Sequence, residues 1–527
     1  MNENSFDDHG ADLQSEPLKI GISQVKKTGV MEAFEPDRQD GIFALLAYVL
    51  GFCFAHWVFF SWQGWGVSLF TLGYCAAVAI YFSKKGVHMT REGWFWLAIV
   101  ILTGISFSLW TNNGLGAWPG ILLFCGAVYW ITCSTGLQIL GKTSNLISLD
   151  FINSLLVIPF RNIGCQFKSL AFLSRNRQAE SRQFIAILLG LGLTLIVMAV
   201  VLPLLMKADS GGFSRIANGA TEFLNGWALG ETIVYGILAI PIGAYLFGLV
   251  AGSAHKRGCD TFKEDSTQKF LSGMQILPTA TVYTLLGLLC SLYVLFIGSQ
   301  LPYFFSAFMG QRPAGWQVYS EYARSGFFEL CRIAAINLIV LTAANVFGKN
   351  QNRANIVLKV LNSLLAMLTL ILIATALSKM IMYIGAYGLS MRRLLPCVFM
   401  VFLAVICISV AALQKWSFSI ARLAVGLGVV MLCLLCLANT DGFVANYNAD
   451  RYLAGTLQGF DVEILYRSGA AGVDTAMKLY DESDDKVLRG ELKQYLSQQQ
   501  KSLKAIEQPE GCWQTKKARQ KITERFL

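Results

Sequence analysis

Apolar runs of membrane-crossing length, each bounded by charge, dominate the pattern of this chain. They fall near residues 42–62, 65–82, 94–110, 117–140, 184–206, 231–253, 275–297, 329–347, 360–382, 394–413 and 420–438. A helix rises about 1.5 Å per residue, so roughly 20 apolar residues cross ~30 Å of hydrocarbon. The runs lack the short alternating strands of a membrane β-barrel. The pattern predicts an all-α, polytopic transmembrane helical bundle of about 11 spans. Between the first two runs, in WVFFSWQGWGVSLF, Gln63 and two glycines supply the turn.

The polar stretches divide the chain further. Residues 1–41 are acidic and polar, with no basic stretch leading into an apolar one, and read as a disordered cytoplasmic tail rather than a signal peptide. Residues 42–140 hold four spans, and 141–183 form a basic cytoplasmic loop. Within that loop NLISLDFINSLLVIPF is too short to span and reads as an amphipathic interfacial helix, Phe and Leu inward, Arg and Lys toward headgroups. Seven spans follow over 184–438. Residues 439–527 read as a small helical domain: Thr440 or Asp441 caps a helix through Tyr452, Asp461 starts a second, Ser483 to Asp485 cap a third, and Trp513 begins the last. DESDDKVLRGEL in this region is no calcium loop, because Lys486 stands where the sharp-turn glycine belongs and Leu492 where the bidentate Glu belongs.

Composition agrees: 54% of the 527 residues are hydrophobic and 14% charged, with mean hydropathy +0.51, whereas about a quarter of an average soluble domain is charged. The net charge of +10 sits on the membrane body, which carries 26 bases against 11 acids, and mostly in alternate loops. Eighteen Lys and Arg lie in one set of loops and six in the other, which predicts the N-terminus inside and, with an odd span count, the C-terminal domain outside. Anionic headgroups of the lipid bilayer account for the excess, so a nucleic-acid partner is not called for.

Residues that could carry chemistry are few. Ten of the 13 cysteines fall in apolar spans, where Cys packs as a small hydrophobe, and Cys433 and Cys436 read as packing rather than a redox pair. The four histidines are scattered, so no metal site and no cofactor is expected. GLQILGKT (136–143) spells a phosphate-loop pattern but continues an apolar span instead of following a strand. Gly248 and Gly252 allow close helix approach within the bundle. The first outer loop lacks acids, and no histidine falls in an outer loop to serve as a base, so the chain reads as non-enzymatic.

Charge at the outer membrane face remains. Glu321 and Arg324, then Glu329 and Arg332, repeat a three-residue spacing that puts each pair on one helix face, with Ser325 to Phe328 as a bend between them. Lys379, Tyr383, Tyr387, Arg392 and Arg393 fall on the same side, where Gly385 and Gly388 permit a tight turn. Glu329 would pair with Arg332, Arg392 or Arg393. These groups are either interfacial anchors or a polar ligand- or partner-binding site opening outward, since charge at membrane depth must face protein or water.

YSEYARSGFFELCRIAAINL (319–338), LSKMIMYIGAYGLSMRRL (377–394), NTDGFVANYNADRY (439–452) and CWQTKKARQKI (512–522) resemble the bacterial multi-spanning proteins of domain-of-unknown-function family 4173, related to family 4153. The resemblance covers roughly residues 180–525 and implies a bacterial inner-membrane protein of unestablished activity. The expected function is a sensing or interaction component of the envelope, using the outer charges and a protein contact through the C-terminal domain. A permease is the alternative.

Overall fold

Ten of the eleven apolar runs are helices in a computed structural model that describes residues 34–173, 229–257, 277–308, 326–347, 356–413, 419–506 and 510–526. The run near 184–206, and Glu321 and Arg324, lie outside the described residues. The membrane helices are α1 (Arg38–Trp57), α2 (Gly64–Lys84), α3 (Arg91–Leu109) and α4 (Trp118–Thr135), then, after three short helices, α8 (Leu229–Ala254), α9 (Thr279–Phe308), α10 (Phe327–Phe347), α11 (Ile356–Tyr387), α12 (Met391–Leu413) and α13 (Ile420–Leu437). No strand occurs among the described residues, and the protein is an all-α polytopic bundle.

Local chemistry sets the helix ends. Asp37 accepts the Asp40 N–H at 2.9 Å while Asp40 accepts the Asp37 N–H at 3.0 Å, a reciprocal cap. The first helix therefore begins ahead of the apolar run, and Asp40, expected in a disordered tail, is fully buried. Gly136, at φ +67°, closes α4 in the left-handed conformation that glycine adopts without steric cost.

Helices α1 and α8 run antiparallel and nearly touch: a Cβ on Gly51 would sit 2.6 Å from the Ala239 carbonyl oxygen, and one on Gly243 2.9 Å from that of Ala47. Farther along α8, a Cβ on Gly248 would meet the Pro159 carbonyl at 2.5 Å and one on Gly252 the Asn162 side chain at 2.5 Å, so this glycine pair packs within the bundle. Around Leu286, Ala334, Leu365, Leu372 and Met400, helices α9 to α12 form a second apolar core. Helix α13 joins the two halves, with the Thr103 hydroxyl of α3 against the Cys433 Sγ.

The expected interfacial helix is three pieces, α5 (Ile147–Ile152), a π-helical turn over Asn153–Val157 and α6 (Ile158–Asn162), and α7 (Cys165–Leu173) follows it. Ile152, Leu156 and Phe160 are exposed, as membrane-facing residues should be. The third face was not expected: Asp150, Asn153, Ser154, Asn162, Gln166 and Ser169 are buried. Gln166 donates to the Ala44 carbonyl at 3.0 Å and Ser154 bonds the Thr132 hydroxyl at 2.5 Å, whereas Asn153 Oδ1 and the second Asp150 oxygen meet no partner among the described residues.

Beyond α13 come α14 (Thr440–Leu453), α15 (Glu463–Ser468), α16 (Val473–Glu482), α17 (Lys486–Ala505) and α18 (Trp513–Phe526) around Leu465, Val473, Leu479, Leu492, Tyr495 and Ile522. Helix α16 is an addition to the four expected. Asn439, rather than Thr440 or Asp441, caps α14, and Asp485 caps α17. All twelve described cysteines are free thiols.

Candidate functional site

Helix α11 decides where the site forms. Its 32 residues make a rod of about 48 Å, longer than the ~30 Å hydrocarbon layer. The C-terminal helices sit against the end at Tyr387. Terminal carbonyls there carry partial negative charge and need donors. Arg451 of α14 donates to the Ile384 carbonyl at 3.0 Å and the Gly385 carbonyl at 2.8 Å. Arg393 donates to the Tyr387 carbonyl at 2.8 Å and to that of Gly388, with its guanidinium 4.2 Å from the Tyr383 ring centre. Gly388 makes the turn at φ +77°, and the buried Asn448 bridges both the N–H and the carbonyl of Leu389.

Further contacts fasten the other loops at this end. Asp441 does not cap α14; both its oxygens accept the Gly114 N–H, at 2.9 and 3.1 Å, in the α3–α4 loop. Burial pushes its carboxyl above the usual carboxylate range, against the pull of that N–H. Gln514 of α18 joins Thr111 at 3.2 Å to Asn439 at 3.0 Å, and Trp513 meets Trp110 edge-on at 5.6 Å.

Between the membrane helices and the C-terminal helices lies a cavity of about 940 Å³. Phe328, Met380, Tyr383, Tyr387, Ser390, Met391, Arg392 and Arg393 line the membrane side, with Asn113 and Gly114 beside them. Asp441, Asp461, Glu463, Ile464 and Arg467 line the other. Three guanidinium groups and three carboxylates thus share one space with two phenols, Arg467 reaching Glu463 at 3.2 Å.

Of the expected site residues, Tyr387, Arg392 and Arg393 come together on this cavity. Lys379 lies about one turn below Tyr383 and two below Tyr387, its Nζ 3.5 Å from where a Gly326 Cβ would stand. The Glu329 carboxylate acts electrostatically on Lys379. Among the described residues no ion pair joins Glu329 to Arg332, Arg392 or Arg393, because Arg393 is taken by helix carbonyls and both Glu329 and Arg332 are exposed on α10. Gly326, at φ +79°, does bend the chain into α10, with Phe327 buried and Phe328 on the cavity. Glu463 and Arg467 went unread in the sequence, and Asp461 was read only as a helix start.

The opposite end holds closed polar clusters. Asp40 receives the Tyr81 hydroxyl at 2.6 Å, Lys85 at 2.8 Å and His255 at 3.1 Å, tying α1, α2 and α8 together. In the phosphate-loop look-alike, the Ile139 N–H points to Asp150 at 2.8 Å and the Thr143 N–H to Glu92 at 2.9 Å. The chain's own carboxylates occupy the amides that a phosphate would need. Burial pushes the Asp150 carboxyl up to about 6, with the Ile139 N–H lowering it and Glu92 raising it further.

A family model described as a domain of unknown function, DUF4153, matches residues 97–479, and the chain belongs to that family. The matched stretch starts in α3, well before the region that the sequence motifs cover, and takes in the cavity residues from Asn113 to Ser468. No curated protein and no solved structure matches the chain.

Proposed function

We propose that this multi-pass membrane protein is a non-catalytic sensing or interaction component of the bacterial envelope, which binds a polar ligand or partner segment in the cavity between α11, α12 and the C-terminal helices. One observation carries the reading: charges of both signs and two tyrosines line a 940 Å³ space walled on one side by membrane helices and on the other by the C-terminal helices. A group bound there would alter the docking of one set of helices on the other. The motifs quoted above favour a kinship with the related 4173 proteins. The excess of Lys and Arg at the Asp40 end favours an inner membrane with the N-terminus in the cytoplasm and the cavity outside.

The permease alternative would need a polar path at mid-depth. Tyr293, Asn337 and Thr369 do meet there across three helices, at 2.6 and 2.9 Å, but they satisfy one another and the Leu365 carbonyl.

The test is a photoreactive amino acid at Arg392 or Arg467, with Val487 on the outer surface of α17 as control, irradiated in intact cells. A discrete adduct at both cavity positions, lost when Ser390→Trp fills the space, is the expected result. No adduct, or the same adduct at Val487, would sink the reading.

A further inference from the structure

A second cavity lies inside the membrane half formed by α1 to α4, α6 and α8, and no part of the proposed function uses it. Its volume is about 420 Å³. It reaches from Trp62, in the turn between α1 and α2, to Ile163 just past α6 at the opposite end. Tyr74, Val100, Val128 and Leu249 form a buried floor, and the exposed residues Phe124, Phe160 and Pro241 frame a mouth toward the surrounding membrane.

The lining excludes water. Thr71 turns its hydroxyl to the Val67 carbonyl at 2.7 Å and Tyr245 turns its own to the Leu155 carbonyl at 3.0 Å. An apolar space of this kind stays dry, and at this depth the medium at its mouth is hydrocarbon. A methylene is similar in size to a water molecule, whose share of the liquid is ~30 Å³, so the groove takes roughly a dozen chain carbons.

What lies at its inner end selects among lipids. Arg161 precedes Ile163 by two residues and is exposed, and Arg257 donates from Nε to Asn162 at 3.3 Å. Lys168, exposed on α7, follows on the same side. A cluster of cations where the chain passes from hydrocarbon to headgroups attracts anionic phosphate.

We propose that this groove is a specific site for an anionic glycerophospholipid, with one acyl chain against Tyr74, Val128 and Leu249 and the phosphate near Arg161 and Arg257. The lipid would brace α4, α6 and α8, which meet the groove from different sides.

The experiment uses the full chain in mild detergent with dioleoylphosphatidylglycerol or dioleoylphosphatidylcholine added, read by native mass spectrometry. One phosphatidylglycerol should remain per chain at collision energies that strip phosphatidylcholine. Ala127→Trp, which fills the groove, should reduce retention at least tenfold. Arg161→Gln with Arg257→Gln should abolish the preference between the two lipids while leaving chain binding. A folded Ala127→Trp protein that retains phosphatidylglycerol like the wild type would overturn the proposal. Should that variant not fold, a phosphatidylglycerol with a photoreactive acyl chain decides on the wild-type protein. Adducts concentrated on Phe124, Ile242 and their neighbours support the site, and adducts spread equally to the lipid-exposed Leu288 and Leu295 of α9 overturn it.

Discussion

Asn448 holds Leu389 as a neighbouring strand would: its side-chain carbonyl accepts the Leu389 N–H at 2.7 Å, and its amide donates to the Leu389 carbonyl at 2.7 Å. Both residues are buried. The turn between α11 and α12 therefore has its two backbone groups satisfied by the C-terminal helices instead of by water.

Asn448→Ala orphans both groups, at about 1–3 kcal/mol each. Amide exchange should accelerate in residues 440–453 and 386–392 together, and the thermal transition in detergent should fall. Asn448→Asp should restore only part, since a carboxylate accepts from the N–H but cannot donate. Unchanged exchange in Asn448→Ala would mean the docking rests elsewhere.

A paired glycine experiment tests the α1–α8 crossing. Gly243→Ala puts a methyl 2.9 Å from the Ala47 carbonyl oxygen, where only movement of one backbone relieves the clash; a loss of about 1–3 kcal/mol is expected. Gly73→Ala, in a helix and with nothing within 4 Å, should stabilise by about 0.5–1 kcal/mol through helix propensity. Equal effects of the two would contradict the close approach.

Asp150 predicts a pH dependence. Its folded carboxyl is raised to about 6 from an ordinary 3.8, so its favourable contribution is complete below about pH 4 and is lost as pH rises through 6. Asp150→Asn should therefore match the wild type near pH 3.5 and exceed it at pH 7.5, by on the order of 3 kcal/mol. Thermal transitions at the two pH values measure this. A variant weaker than wild type by the same margin at both would show that the ionised carboxylate is needed.

Sidedness can be checked with an impermeant thiol reagent at two exposed positions, Ser83→Cys at the end of α2 and Ser497→Cys on α17. Native Cys512 cannot report, being 2% exposed. Labelling of intact cells at 497 alone agrees with a cytoplasmic N-terminus. Labelling at 83 alone would reverse the orientation.

The membrane helices were legible because crossing hydrocarbon leaves a long, unmistakable apolar run. Ten such runs became helices, their ends moved by caps such as Asp37 and Gly136. The turn between α11 and α12 was half legible: Tyr387, Arg392 and Arg393 are unusual in their setting, yet their partners are backbone carbonyls and a domain that begins 50 residues later. Nothing local to Glu463 or Arg467 marks them, and Asp461 reads locally only as a helix start, because their role comes from docking. Asp40 was hidden for a similar reason, since Tyr81, Lys85 and His255 reach it from two other helices.

The length of α11 ties the cavity over Tyr387 to the bilayer itself. A rod of about 48 Å fits a ~30 Å layer by leaning or by protruding, and a thicker membrane makes it stand straighter. Arg451 grips that rod at Ile384 and Gly385, so a change of lean carries the C-terminal helices with it. Helix α11 and the helices docked on its end would thus respond as one piece to a change in bilayer thickness.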